Sequence, residues 1–141
     1  MQQRLWTIML LVWVLAGPAT AQIQPSPVGA APPGLEFDAG QRWSVDGAMM
    51  THFRAMESDL VSFRGSSPEE YRELGARLEK QLALLMAGCT MKGKAHDELH
   101  EWLLPYMAEV NAFANDDDVA TLKARQKALR SSFDVFNAYF R

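Results

Sequence analysis

Four side chains that could bind a transition metal occupy positions that a helical bundle would bring to one end. His52 lies in one helical stretch, Cys89 follows a second, and His96 and His100 open a third. If successive helices run antiparallel, the start of the first, the end of the second and the start of the third meet at one end. Imidazole and thiolate groups together are typical ligands of copper and zinc. The residue types and their order therefore predict a metal site.

Three methionines could add thioether ligands to this site. Met91 follows Cys89 in the same loop, and Met49 and Met56 stand three and four residues from His52. Thioether sulfur favours Cu(I), so Met91 is predicted as a ligand and the other two as additional candidate ligands. Methionines at helical spacing are more often core residues, which is the alternative for Met49 and Met56.

The two histidines of the third stretch are four residues apart, which places them one turn apart on one helix face. Two imidazoles at this spacing can hold one ion, whose metal–nitrogen bonds are about 2.0–2.1 Å long. Asp97 is interpreted as a hydrogen-bond acceptor that orients an imidazole without binding the ion. The segment from His96 to His100 differs from the H-E-x-x-H zinc peptidases, because aspartate replaces the catalytic glutamate and no downstream ligand follows. No catalytic residue is therefore predicted, and the chain is not expected to be an enzyme.

Two other functions remain open from the residues. A four-helix bundle can hold haem in its core, and the missing C-x-x-C-H motif excludes only covalent c-type haem. Noncovalent haem b in a cytochrome-like electron carrier would need an axial pair such as His52 with His96 or Met91. The aromatic residues that could line its pocket are Phe133, Phe136, Tyr139 and Phe140. In the other alternative, the bundle binds no metal and acts through protein contacts.

The segment from Cys89 to His100 reads C-T-M-K-G-K-A-H-D-E-L-H. It resembles the C-T-M-x-G-x-A-H-x-x-L-H element of small exported bacterial proteins with helical-bundle character. The resemblance implies that Cys89, Met91, His96 and His100 form one functional unit, and it implies no particular activity. His52 lies outside the element, so its place in the site is inferred from helix geometry alone.

The first residues have the pattern of an export signal. Arg4 supplies a positive charge, Leu5 to Ala16 is apolar, and Ala19-Thr20-Ala21 is a small-x-small cleavage site. We therefore predict a signal peptide over residues 1–21, cleavage after Ala21, and a periplasmic or secreted protein. The apolar run is short for a membrane span, so no membrane association is expected after cleavage.

The charge balance and the single cysteine limit the partners further. The chain has 14 basic and 17 acidic residues, and this mild acidity argues against nucleic-acid binding. One cysteine cannot form an intrachain disulfide in an oxidising compartment. The expected partners are a metal ion, copper before zinc, and another exported metal-handling protein.

The rest of the chain predicts one all-α domain. Residues 22–40 are rich in proline, glycine and small side chains, which is typical of a disordered linker. Residues 41–141 form the domain, in which apolar residues recur at spacings of three and four. The predicted helices are 46–63, 68–87, 94–114 and 118–140. Four amphipathic helices joined by short loops predict an up-and-down four-helix bundle.

Overall fold

A computed structural model describes residues 29–141. The predicted signal peptide, residues 1–21, and the first part of the predicted linker, residues 22–28, lie outside the described residues. The described part contains four α-helices and, apart from them, only isolated β-bridges. The helices are α1 (Gly47–Ser62), α2 (Pro68–Ala87), α3 (Lys94–Ala114) and α4 (Val119–Tyr139). The prediction of an all-α chain with four helices is confirmed.

Polar side chains fix the starts of three helices. The carboxylates of Asp46 and Asp118 accept hydrogen bonds from backbone N–H groups in the first turns of α1 and α4. At α2, Ser67 and Glu70 form a capping box, in which each side chain accepts from the backbone N–H of the other. Helix α3 begins after Gly93, whose φ of 68° is in the left-handed region that favours glycine. These caps explain why the helix starts can be read from the sequence.

The helices pack in a closed ring. Each helix contacts the next one in sequence, and α4 returns to α1. Aromatic side chains fill the centre: the ring of Phe136 lies 4.5 Å from that of Phe53 and 4.9 Å from that of Trp102, measured between centroids. The indole Nε1 of Trp102 donates to the backbone carbonyl of Ser132 at 2.9 Å, which joins α3 to α4 inside the core. The arrangement is that of a four-helix bundle.

Residues 29–45, which we call the N-terminal strap, lie against the bundle. Leu35 and Trp43 are only 8% and 9% exposed. The backbone N–H of Glu36 donates to the carboxylate of Glu98 on α3 at 2.8 Å. The expectation of a disordered linker is therefore wrong for the described part of this segment. Its order comes from contacts with residues far away in sequence, which its proline-rich composition does not reveal.

Several chain segments meet at one end of the bundle. The backbone N–H of Trp43 donates to the carbonyl of Tyr139 at 2.8 Å, and the N–H of Arg141 donates back to Trp43 at 2.9 Å. The hydroxyl of Thr90, in the α2–α3 loop, donates to the carboxylate of Asp46 at the start of α1. The start of α1, the α2–α3 loop and the end of α4 thus share one end, as an antiparallel order requires.

Candidate metal-binding site

His96 and His100 lie side by side on the first turns of α3. Their ring centroids are 4.1 Å apart and the ring planes are inclined by 48°. The side chain of His96 is 29% exposed, and His100 is likewise half-buried. Both imidazoles are therefore close to each other and open to solvent, as their spacing predicts. We call these two residues the histidine pair.

Asp97 is near the pair but is not bonded to it. Its Oδ1 lies 3.8 Å from Nδ1 of His96, which is longer than a hydrogen bond, and its side chain is 80% exposed. The carboxylate does not hold the imidazole in place by a direct hydrogen bond. The predicted orienting contact is therefore absent, although the charge of the Asp97 carboxylate remains close to the histidine pair.

His52 has a partner elsewhere in the bundle. Its Nδ1 lies 2.7 Å from Oε1 of Gln81, so the ring connects α1 to α2. The next residue, Phe53, is the one that enters the core. Among residues 29–141, no three side chains of histidine, cysteine, aspartate or glutamate form a group that could hold one ion. The expected convergence of three histidines and Cys89 on one site is therefore wrong.

The sulfur groups of the α2–α3 loop take part in packing. Cys89 is a free thiol, and both Cys89 and Met91 are half-buried against the hydrophobic core. Thr90, between them, is exposed and is bonded to Asp46. The structure thus gives both sulfur groups a packing role, and ligation by either remains a prediction.

Met49 and Met56 are core residues. They are 1% and 0% exposed, and both belong to the continuous hydrophobic core. An ion could reach their thioethers only if the bundle opened. The expectation that they are additional ligands is therefore not supported, and the alternative of core packing describes them.

The aromatic residues considered as a haem pocket pack on one another instead. Phe136 lies between Phe133 and Phe140, at centroid distances of 5.9 and 5.2 Å. Tyr139 stacks at 4.3 Å on Phe37 of the N-terminal strap. These contacts make the aromatic residues part of the core and of the attachment of the strap.

The burial of Glu98 was not predicted, because the helix dipole by itself favours an acidic residue in the first turns of a helix. It is 5% exposed, and its carboxylate accepts from Lys94 Nζ at 2.7 Å as well as from the N–H of Glu36. Burial alone would raise the pKa of this carboxyl, but the hydrogen bonds from Glu36 and Lys94 and the charge of Lys94 lower it. The i,i+4 spacing of Lys94 and Glu98 was the available signal. Their contacts fasten the strap to the turns that carry the histidine pair.

Comparison with known proteins adds no further constraint. No protein-family model, no curated protein and no solved structure matches the chain. Within residues 29–141, none of the helices combines the length and the apolar character that crossing a membrane requires. The functional argument therefore depends on the geometry of the histidine pair.

Proposed function

We propose that this chain is an exported helical bundle that binds a transition metal ion, copper before zinc, through His96 and His100. The observation that supports the proposal is the proximity of the two imidazole rings, 4.1 Å between centroids, on one helix face open to solvent. Neutral imidazole is a ligand that both copper and zinc accept, and Cu(II) is favoured in the general order of divalent ions.

The donor set fits an ion that is held on one side only. Two imidazoles leave part of the coordination shell to water or to another molecule, whereas structural zinc sites take all four ligands from the protein. An ion held in this way can be loaded and released without unfolding the bundle. Buffering or transfer of copper, with another exported metal-handling protein as the receiving partner, follows from such an open site.

The chain's own residues prepare the pair for binding. The contacts of Glu98 with Lys94 and Glu36 hold the first turns of α3 against the strap. A rigid helix start keeps the two imidazoles adjacent before an ion arrives, which reduces the entropy cost of binding.

The direct test is Cu(II) titration of the purified protein against a competing chromophoric chelator. Alanine at His96 or His100 is expected to weaken binding by more than about 100-fold, because losing a ligand exceeds the 10–100-fold effect of losing an outer partner. Asp97→Asn is expected to have a much smaller effect, since its carboxylate does not contact the ring nitrogen.

His52→Gln is the matched control, because it removes an imidazole that already has Gln81 as its partner. It is expected to bind Cu(II) as the wild type does. Circular dichroism of each variant checks that the bundle is intact. Undiminished Cu(II) affinity in the His96→Ala, His100→Ala double variant would remove the basis of the proposal.

A further inference from the structure

The histidine pair supplies only two ligands. Copper and zinc commonly take four ligands from nitrogen and sulfur donors. Among the residues that the structure describes, no third histidine, cysteine, aspartate or glutamate completes a group that could hold an ion. Strong binding by this pair would therefore need ligands from another molecule.

An uncharged stripe continues from the pair along α3. His100, Leu104, Met107 and Asn111 are spaced by four, three and four residues, which places them on one face of the helix. Leu104 is 58% exposed, the highest value among the large hydrophobic side chains of the described residues. The face that begins with the two imidazoles thus continues as an apolar surface.

The adjoining part of α2 extends this surface. Met86 is 53% exposed, and with Met107 it lines a groove of about 260 Å³ between α2 and α3. The other lining residues are Glu79, Leu82, Ala83, Val110 and Asn111. We call the exposed side chains of Leu104 and Met86 and the half-buried side chain of Met107, together with this groove, the α2–α3 face.

A second copy of the chain fits the combination of the α2–α3 face and the adjoining histidine pair. In a two-fold dimer, residues near the axis face the same residues of the other copy, so charged side chains there would repel each other. The stripe of His100, Leu104, Met107 and Asn111 carries no charged residue, and Glu79 is the one charged residue among those that line the groove. Leucine and methionine can meet their own copies and exclude water, while the adjoining imidazoles approach one point from both sides.

We propose that two copies of this chain associate through the α2–α3 face and that His96 and His100 of both copies bind one Cu(II) ion. The inference rests on the proposed function, since it uses the same histidine pair. Interfaces that are stable without a metal bury about 1,200–2,000 Å² in total and use about 20–30 residues on each side, whereas the stripe on α3 supplies four. The ion is therefore the component that completes the dimer, and removal of the ion separates the copies.

The test is to measure mass and stoichiometry together on the purified protein. Sedimentation or light scattering should show a monomer without metal and a dimer once Cu(II) reaches half an equivalent per chain. Calorimetry should give one ion per two chains, and the electron paramagnetic resonance spectrum should show coupling to four nitrogen atoms. The His96→Ala, His100→Ala variant should stay monomeric at every Cu(II) concentration.

Two leucine variants separate the surface from the ligands. Leu104→Glu places charges of the same sign near the axis but keeps both imidazoles, so it should bind one ion per chain as a monomer, at least about tenfold more weakly. Leu84→Glu is the matched control, because Leu84 is also exposed on a helix, 45%, but belongs neither to the stripe on α3 nor to the residues that line the groove. It should form the Cu(II) dimer as the wild type does.

Cys89 needs its own control, since Cu(II) can oxidise a free thiol and a disulfide between two copies would also give a dimer. Cys89→Ser should still form the dimer, and a chelator should return it to monomer. A dimer that is lost in Cys89→Ser, or that persists after chelation, overturns the inference.

The stoichiometry distinguishes the inference from the proposed function. If the wild type is a monomer that binds one ion per chain, and this binding is lost on mutation of the histidine pair, the inference is overturned and the proposed function stays intact. Cu(II) binding that is indifferent to both histidines contradicts both.

Discussion

Removing one oxygen atom from the core should stabilise this protein. Tyr106 is 1% exposed, and its ring stacks on Trp102 at 4.7 Å. Among the described residues, its hydroxyl oxygen is the buried side-chain atom that has no hydrogen-bond partner. Burial raises the pKa of the Tyr106 phenol far above its usual range, so the group is neutral at physiological pH.

The expected size follows from the cost of desolvating a hydroxyl. A buried hydroxyl without a partner costs about 1–3 kcal/mol, and Tyr106→Phe removes this cost while keeping the ring contacts. The small void left by the oxygen forfeits some dispersion energy. We therefore expect the free energy of unfolding to rise by about 1 kcal/mol, which corresponds to about 4 °C in Tm for a domain near 100 residues.

Urea denaturation and calorimetry of the wild type and the variant provide the measurement. Tyr71→Phe is the matched control, because Tyr71 is also buried, at 2% exposure, while its hydroxyl is not among the buried atoms without a partner. It should change stability little. A loss of about 1 kcal/mol or more for Tyr106→Phe alone would show that the hydroxyl is bonded in solution, and the reasoning would be refuted.

Two other predictions concern the packing and the caps of the helices. At Gly75 a Cβ atom would lie 3.0 Å from Cα of Ala114, so Gly75→Ala should force α2 and α3 apart and cost about 1–3 kcal/mol in urea denaturation. Gly47→Ala, whose Cβ would meet nothing within 4 Å, is its control and should not destabilise the bundle. The hydroxyl and backbone N–H of Thr121 donate to Asp118 and lower the pKa of this carboxyl from 3.8. These hydrogen bonds to the carboxylate therefore stabilise the fold above pH 3.8, and the stabilisation is lost as the pH falls through the lower pKa of Asp118 in the folded state. The difference in Tm between the wild type and Asp118→Ala should therefore narrow in acid. A deficit that is independent of pH would contradict this origin.

The helices were predictable because their signals are local. The capping box of Ser67 and the carboxylate of Asp118 mark helix starts by short-range hydrogen bonds that the sequence itself encodes. The spacing of apolar residues by three and four marked the stretches that form helices. Leu35 was assigned to the disordered linker, because its burial depends on surfaces that exist only after the bundle has formed.

The site was predictable in part for the same reason. The proximity of His96 and His100 depends only on helical spacing, and the structure confirms it. The convergence of His52 and Cys89 on that pair required knowledge of how helices rotate about their axes. One residue corresponds to about 100° on a helix. Periodicity could not distinguish Phe53, which enters the core, from His52, which turns toward Gln81.

The pairing of Trp43 with Tyr139 and Arg141 has a consequence for the order of folding. The helices that contact each other are mostly neighbours in sequence, so their docking closes short loops and can proceed quickly. The pairing of the strap with the last residues closes a loop that spans nearly the whole domain, which carries the largest chain-entropy cost. We therefore expect this pairing to form late on the folding pathway. In the native protein it is also a natural place for the first sub-global opening, with its amides exchanging before those of the helix interiors.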